Sequence, residues 1–200
     1  MKLFYWLSIT CIVCFMSGCS LLSPVPTQTQ NTYIIKTLPP VQTKKTRRPI
    51  TLLVRMPNTR AFYDTNLMAY STKPYQIDYY AKSTWLDRPG SMLQPLIIQS
   101  LQNTHYFHAV TSPSAGGDYQ YSLTLQIETF LQDYTHGHAV FRLVAHANVI
   151  RSSSNRIMAT KEFVINQPML QASPYGGVVA ANQATANMLR QLTRFCLKTL

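Results

Sequence analysis

Tyr121-Ser122-Leu123-Thr124-Leu125-Gln126-Ile127-Glu128 decides the fold. Its apolar residues fall on every second position and Ser122, Thr124, Gln126 and Glu128 fill the gaps, the period of a strand with one buried face. The same rhythm returns downstream. Ala139, Phe141, Leu143, Ala145 and Val149 alternate with polar or small neighbours such as Arg142 and His146. After the turn Ser152-Ser153-Ser154-Asn155, residues 157–165 (IMATKEFVI) read as a third strand. Three strands at even spacing predict an antiparallel meander.

Beyond the meander the period changes to that of a helix. Between Tyr175 and Leu200, Val178, Ala181, Thr185, Met188, Leu192 and Phe195 form one stripe with Leu189 beside it. Upstream, Leu93, Leu96, Ile97 and Leu101 follow Asp87-Arg88-Pro89 at spacings of three and four, a second helix with one apolar face. Pro95 is costly inside a helix, so this one is expected to start near Ser91 or to bend there. Shorter strands precede it: Tyr33 to Leu38, closed by Pro39-Pro40, and Ile50 to Met56, closed by Pro57-Asn58. Leu67 to Ser71 and Tyr75 to Ala81 flank Thr72-Lys73-Pro74, a hairpin signal. Tyr106 to Val110 reads as another short strand. The order predicts a single α+β domain, a mostly antiparallel or mixed sheet with a mid-chain and a C-terminal helix packed on it.

The first nineteen residues read differently. Lys2, an apolar run from Leu3 to Met16 and the ending Met16-Ser17-Gly18-Cys19 describe a secretory signal. The ending resembles the bacterial lipoprotein signal, in which cleavage between Gly18 and Cys19 leaves the cysteine carrying a diacylglycerol. An uncleaved membrane anchor would need about 20 apolar residues, and this run stops short. Ser20 is not aspartate, which by similarity to enterobacterial sorting favours the outer membrane. Residues 20–32 (SLLSPVPTQTQNT) carry no apolar period and read as a tether, at most about 45 Å long when extended. The expected organisation is thus a signal at 1–18, a lipidated tether at 19–32 and one domain at 33–200.

Eighteen basic residues face seven acidic ones, a formal net charge of +11. Such a balance usually indicates nucleic acid, a partner that export excludes. Lys44, Lys45, Arg47 and Arg48 form the densest run, which fits either an anionic lipid surface or a solvated basic loop. Cys11 and Cys14 leave with the signal and Cys19 takes the lipid, so Cys196 has no disulfide partner and reads as a core residue.

Enzymatic signatures are missing from the sequence. There is no G-x-S-x-G elbow, no Walker loop and no dinucleotide fingerprint. His136-Gly137-His138, with Asp133 before it, lacks the further ligand a zinc site needs. His146, on the expected next strand, would lie about 27 Å from His138 at about 3.4 Å per residue. A hairpin turn is the plainer reading. No catalytic residue, metal or cofactor is expected beyond the acyl group on Cys19. Trp85 reads as core, and Tyr75, Tyr79 and Tyr80 as candidate partner contacts.

Read in order, several segments resemble the ABC-type transport auxiliary lipoproteins, a PqiC-like family. They are Tyr33-Ile34-Ile35, Leu52-Leu53-Val54, Met68-Ala69-Tyr70 and Tyr79-Tyr80-Ala81 with Trp85. The helix ending at Leu101, Phe107-His108-Ala109-Val110, the strand from Tyr121 to Phe130 and Ala180-Ala181-Asn182-Gln183-Ala184 complete the set. The resemblance implies a non-catalytic lipoprotein accompanying an ABC transporter and an MCE-domain protein, docking the latter at the outer membrane, with a homo-oligomer as an open possibility. An envelope lipoprotein that activates or scaffolds a peptidoglycan synthase is the alternative.

Overall fold

One long strand organises the molecule, a computed structural model that describes residues 29–41, 46–135 and 137–200. Among these residues the elements are β1 (Asn31–Tyr33), β2 (Thr51–Val54), β3 (Asn58–Thr59), β4 (Leu67–Ser71), β5 (Asp78–Trp85), α1 (Pro89–Gln102), β6 (Ala109–Thr111), β7 (Tyr121–Asp133), β8 (Val140–Arg151), β9 (Arg156–Pro168) and α2 (Pro174–Thr199).

The organiser is β7. Along one edge it pairs antiparallel with β8, from Tyr121 opposite Arg151 to Asp133 opposite Val140, with an irregularity between Ile127 and Thr129. Strand β9 continues the meander antiparallel to β8. Asn155 makes the tight turn between them at φ 50°, a left-handed conformation that asparagine tolerates. Along its other edge β7 is paired in parallel by three short strands in succession. Leu52 to Val54 lie opposite Tyr121 to Leu123, Asn58 and Thr59 opposite Gln126 and Ile127, and Tyr70 and Ser71 opposite Gln132 and Asp133. β6 extends the sheet beyond β2, and β5 then β1 extend it beyond β4. The sheet is therefore mixed, and the domain is α+β.

Helix α2 lies on β8 and β9, α1 lies against β2, β3 and β6, and the two helices touch, so both cover the same face. Between them and the sheet sit Leu52, Leu123, Ile127, Phe141, Leu143, Phe163, Leu93, Ile97, Met188 and Leu189, all essentially without solvent access. Trp85 joins this core edge-on to Phe130, which in turn meets Phe141 edge-on. Cys196 is fully buried there, and burial pushes its thiol up to about 12. Ser173 caps α2, its side chain accepting from the Gly176 amide at 3.1 Å, and Pro174 opens the first turn.

Several boundaries differ from the sequence reading, each for a local reason. The first strand takes Asn31 and Thr32 from the stretch read as tether and stops at Tyr33, because the backbone after it bonds to a helix side chain instead. The second is shorter than residues 50–56, with its three apolar residues buried as expected of a two-sided strand. Helix α1 starts at Pro89 rather than Ser91 and runs through Pro95. Pro95 lies on the exposed side of the helix, where water reaches the carbonyl that its ring leaves unbonded. Strand β6 occupies Ala109–Thr111 instead of Tyr106 to Val110, because Thr104 and His105 hold the chain in a turn first.

Candidate functional site

Three places present chemistry outward, and each is built by the elements just described. The first is at the N-terminal end of the described residues. Here β1 lies parallel to β5, and the Leu86 amide donates to the Tyr33 carbonyl at 2.6 Å. The next residues are fastened to α2 by a single side chain. Asn182 Oδ1 accepts from the Lys36 amide at 3.0 Å, the Thr37 amide at 3.2 Å and the Thr37 hydroxyl at 3.0 Å. Its Nδ2 donates to the Ile34 and Val178 carbonyls, both at 3.1 Å. Beside this clasp a groove of about 530 Å³ runs along Tyr33, Ile34, Tyr175, Val178 and Val179. The Tyr33 and Tyr175 rings stand 6.1 Å apart. Gly18 and Cys19, the expected cleavage and lipidation positions, lie outside the described residues.

The second place is the β4–β5 hairpin with its tyrosines. The turn is longer than Thr72-Lys73-Pro74 and spans residues 72–77, so Tyr75 sits in the turn rather than on the strand. It has φ 66° and full exposure, with the exposed Ile77 nearby in sequence. The other two tyrosines are half-buried and bonded to neighbours within the fold. Tyr79 stacks on Phe62 at 4.7 Å and donates its hydroxyl to the Phe62 carbonyl at 2.7 Å. Tyr80 stacks on Tyr70 at 4.4 Å, and its hydroxyl lies 2.8 Å from that of Tyr134 and 3.0 Å from Gln132 Oε1. Burial raises the Tyr80 phenol well above its ordinary range, with the Tyr134 hydrogen bond adding to it. Gln132 is almost wholly buried at the end of β7, and its Nε2 donates to the Pro174 carbonyl at 3.3 Å. Hairpin, central strand and α2 thus share one polar hub. A Cβ at position 177 would run into the Gln132 side-chain amide, so Gln132 would have to shift and disturb the hub.

Asp133, the next residue, ends β7. It accepts from the Thr135 hydroxyl at 2.6 Å and amide at 2.8 Å, and from Arg142 at 3.2 Å. Burial alone would raise its carboxyl. The Thr135 hydrogen bonds and the Arg142 guanidinium outweigh that and hold it below the ordinary carboxylate value. This is the hairpin-turn role, with His136 outside the described residues. His146 faces Glu162 across β8 and β9 at 3.5 Å. Among the described residues no group of three or more His, Cys, Asp or Glu stands close enough to hold a metal ion.

The third place is a cleft of about 460 Å³ at the C-terminal end of α1, bordered by Arg47, Gln102, His105 and His108. Of the four basic residues singled out in the sequence, Arg47 enters this cleft and Arg48 is exposed beside it. Lys44 and Lys45 lie outside the described residues. No sequence pattern announced His105 and His108, since isolated histidines carry no spacing signal.

Two clefts and an exposed hairpin tip are thus the outward features that this α+β domain presents among the described residues. The chain belongs to the family of ABC-type transport auxiliary lipoprotein components, whose model matches residues 33–193. The same fold occurs in protein XCC0632 from Xanthomonas campestris, at 19% identity and a TM-score of 0.77, covering 84% of this chain and 96% of that one. It occurs also in an uncharacterized protein at 12% identity and a TM-score of 0.67, over 84% and 99% of the two chains. A comparison with curated proteins finds no match to this sequence. The family is an auxiliary component of ABC-type transport and a lipoprotein family, which sets the chain among membrane-anchored envelope proteins.

Proposed function

We propose that this chain is the non-catalytic, lipid-anchored outer-membrane subunit of an ABC/MCE-type lipid-transport system, docking the periplasm-spanning MCE protein. The observation that carries the reading is the family match over nearly the whole domain, from residue 33 to 193. Two features support it. The sequence Met16-Ser17-Gly18-Cys19 supplies the acyl anchor, and two or more acyl chains hold a protein stably where a single one is marginal. The short tether keeps the domain near its membrane, which suits a dock at the bridge's end better than a reach across the wall to a peptidoglycan synthase.

Docking is assigned to the β4–β5 tip, with Tyr75 as the anchor and Ile77 beside it. Tyr79 and Tyr80 support the hairpin from within, since their hydroxyls are already bonded inside the fold. An exposed tyrosine gives a partner a large, rigid contact at low entropic cost. The test is a photo-crosslinking amino acid at position 75 of the native lipoprotein, followed by mass spectrometry of the adducts from whole envelopes. An MCE-domain protein is the expected adduct. Adducts with a peptidoglycan synthase alone would overturn the reading.

A further inference from the structure

The geometry points to a phosphate-binding site in the cleft between the C-terminal end of α1 and β6, with Arg47 as its cation and His105 and His108 as hydrogen-bonding partners. It does not depend on the docking proposal, which concerns the opposite end of β7's parallel edge.

Arg47 is held in place before any ligand arrives. Its Nη2 donates to the His108 carbonyl at 2.8 Å and its Nε to the Phe107 carbonyl at 3.4 Å. Those two bonds fix the planar guanidinium and leave the Nη1 protons and one Nη2 proton for a ligand. A rigid fork of donors matches phosphate geometry, which is why arginine serves so often in that role. Among the described residues, those bordering the cleft include no aspartate or glutamate. Three carbonyls at the end of α1 already have donors: Gln99, Leu101 and Gln102 accept from the amides of Asn103, Thr104 and His105. Gln102 Nε2 covers the Val110 carbonyl at 3.1 Å.

The loop carrying the histidines is stiff and locally strained. Thr104, without solvent access, donates its hydroxyl to the Leu101 carbonyl at 2.6 Å and accepts from the Tyr106 amide at 3.2 Å. His105 takes φ 54° at the end of α1, a place where glycine or asparagine is the economical residue. A bulky residue kept in that conformation carries strain, and strained positions cluster at ligand sites. His105 and His108 both border the cleft and both are exposed to solvent. The chain's net charge of +11 favours an anion there at long range.

Phosphate of this kind reaches an envelope protein from two sources, a phospholipid headgroup or the free ion, and one titration separates them. Full-length lipoprotein with 15N-labelled histidines in uncharged detergent is titrated at constant ionic strength. The probes are inorganic phosphate, dihexanoyl phosphatidylglycerol and, as a blank, chloride. Saturable shifts of His105 and His108, with His146 unmoved, are expected from at least one phosphate probe. The tighter of the two names the source. Arg47→Ala weakens binding about tenfold, the loss expected of one charge-assisted hydrogen bond. His105→Gly raises the melting temperature by relieving the strain while weakening binding several-fold, so a folding defect in the arginine variant does not decide the matter. Shifts that chloride reproduces, or unchanged binding by His105→Gly, would overturn the site.

Discussion

The two edges of β7 are built on opposite plans. On one, β8 is the next strand in the chain and runs antiparallel along its full length. On the other, the same length is covered by three short parallel pieces, β2, β3 and β4, gathered from well upstream in the chain. The meander draws its stability from continuous pairing and from a dry layer under α2. The patched edge relies on connectors and side-chain fastenings, and the candidate sites lie there, in the hairpin beyond β4 and the cleft beyond β6. Short, interrupted strands leave loops at defined positions, and a rigid neighbour holds them.

The largest effect is expected in the meander. Phe141→Ala empties a site with 1% exposure between Phe130 and α2, and about 4 kcal/mol of unfolding free energy is lost in denaturant titrations. Next comes the junction of the two plans. Gly177→Val drives a branched side chain into Gln132, so the hub must shift, at about 3 kcal/mol. If instead that variant melts like the parent, β7 and α2 are not joined through the hub. Asn182→Ala is smaller, about 1 kcal/mol by thermal melting, because the amides it satisfies are exposed once released. Its signature is local: faster hydrogen exchange at Lys36 and Thr37 with β8 protection unchanged. A uniform loss of protection across β8 would show that the two plans unfold as one.

Asp133 gives the smallest and most selective test, through pH. Its carboxyl is lowered in the folded state, so its contribution is present above the unfolded value of about 3.9 and fades as pH falls through the folded one. Asp133→Asn is therefore expected to flatten the stability curve below about pH 4. A wild-type curve as flat as the variant's would remove the Thr135 and Arg142 bonds from the account.

What the sequence made legible follows the same division. Strands β7, β8 and β9 and helix α2 announce themselves because each has one buried face, and a single period over ten or more residues is hard to mistake. Trp85 and Cys196 also read as core, and both are buried. The parallel pairing was not legible, since residues such as Leu53 and Ser122 meet only in three dimensions and leave no trace in local pattern. Tyr79 and Tyr80 read as candidate partner contacts, yet Phe62 and Gln132, distant in sequence, supply their partners. Asn182 sits beside the apolar stripe of α2 as any polar helix residue would, yet its bonds to Ile34, Lys36 and Thr37 reach a segment nearly 150 residues away. Among the candidate sites, the basic run pointed to Arg47, but nothing pointed to the strained His105 beside it.

The clasp at Asn182 also orders how the molecule gives way under load. On the anchoring and docking proposed above, a domain held by its N-terminus and by another surface is pulled along its first strand. Tension arriving at Thr29 meets the three residues of β1 on the sheet's edge, then the amide knot at Ile34, Lys36 and Thr37, before it reaches any strand that touches β7. On that pull the bonds of β1 and of the knot stand first in line, ahead of the pairing of β7.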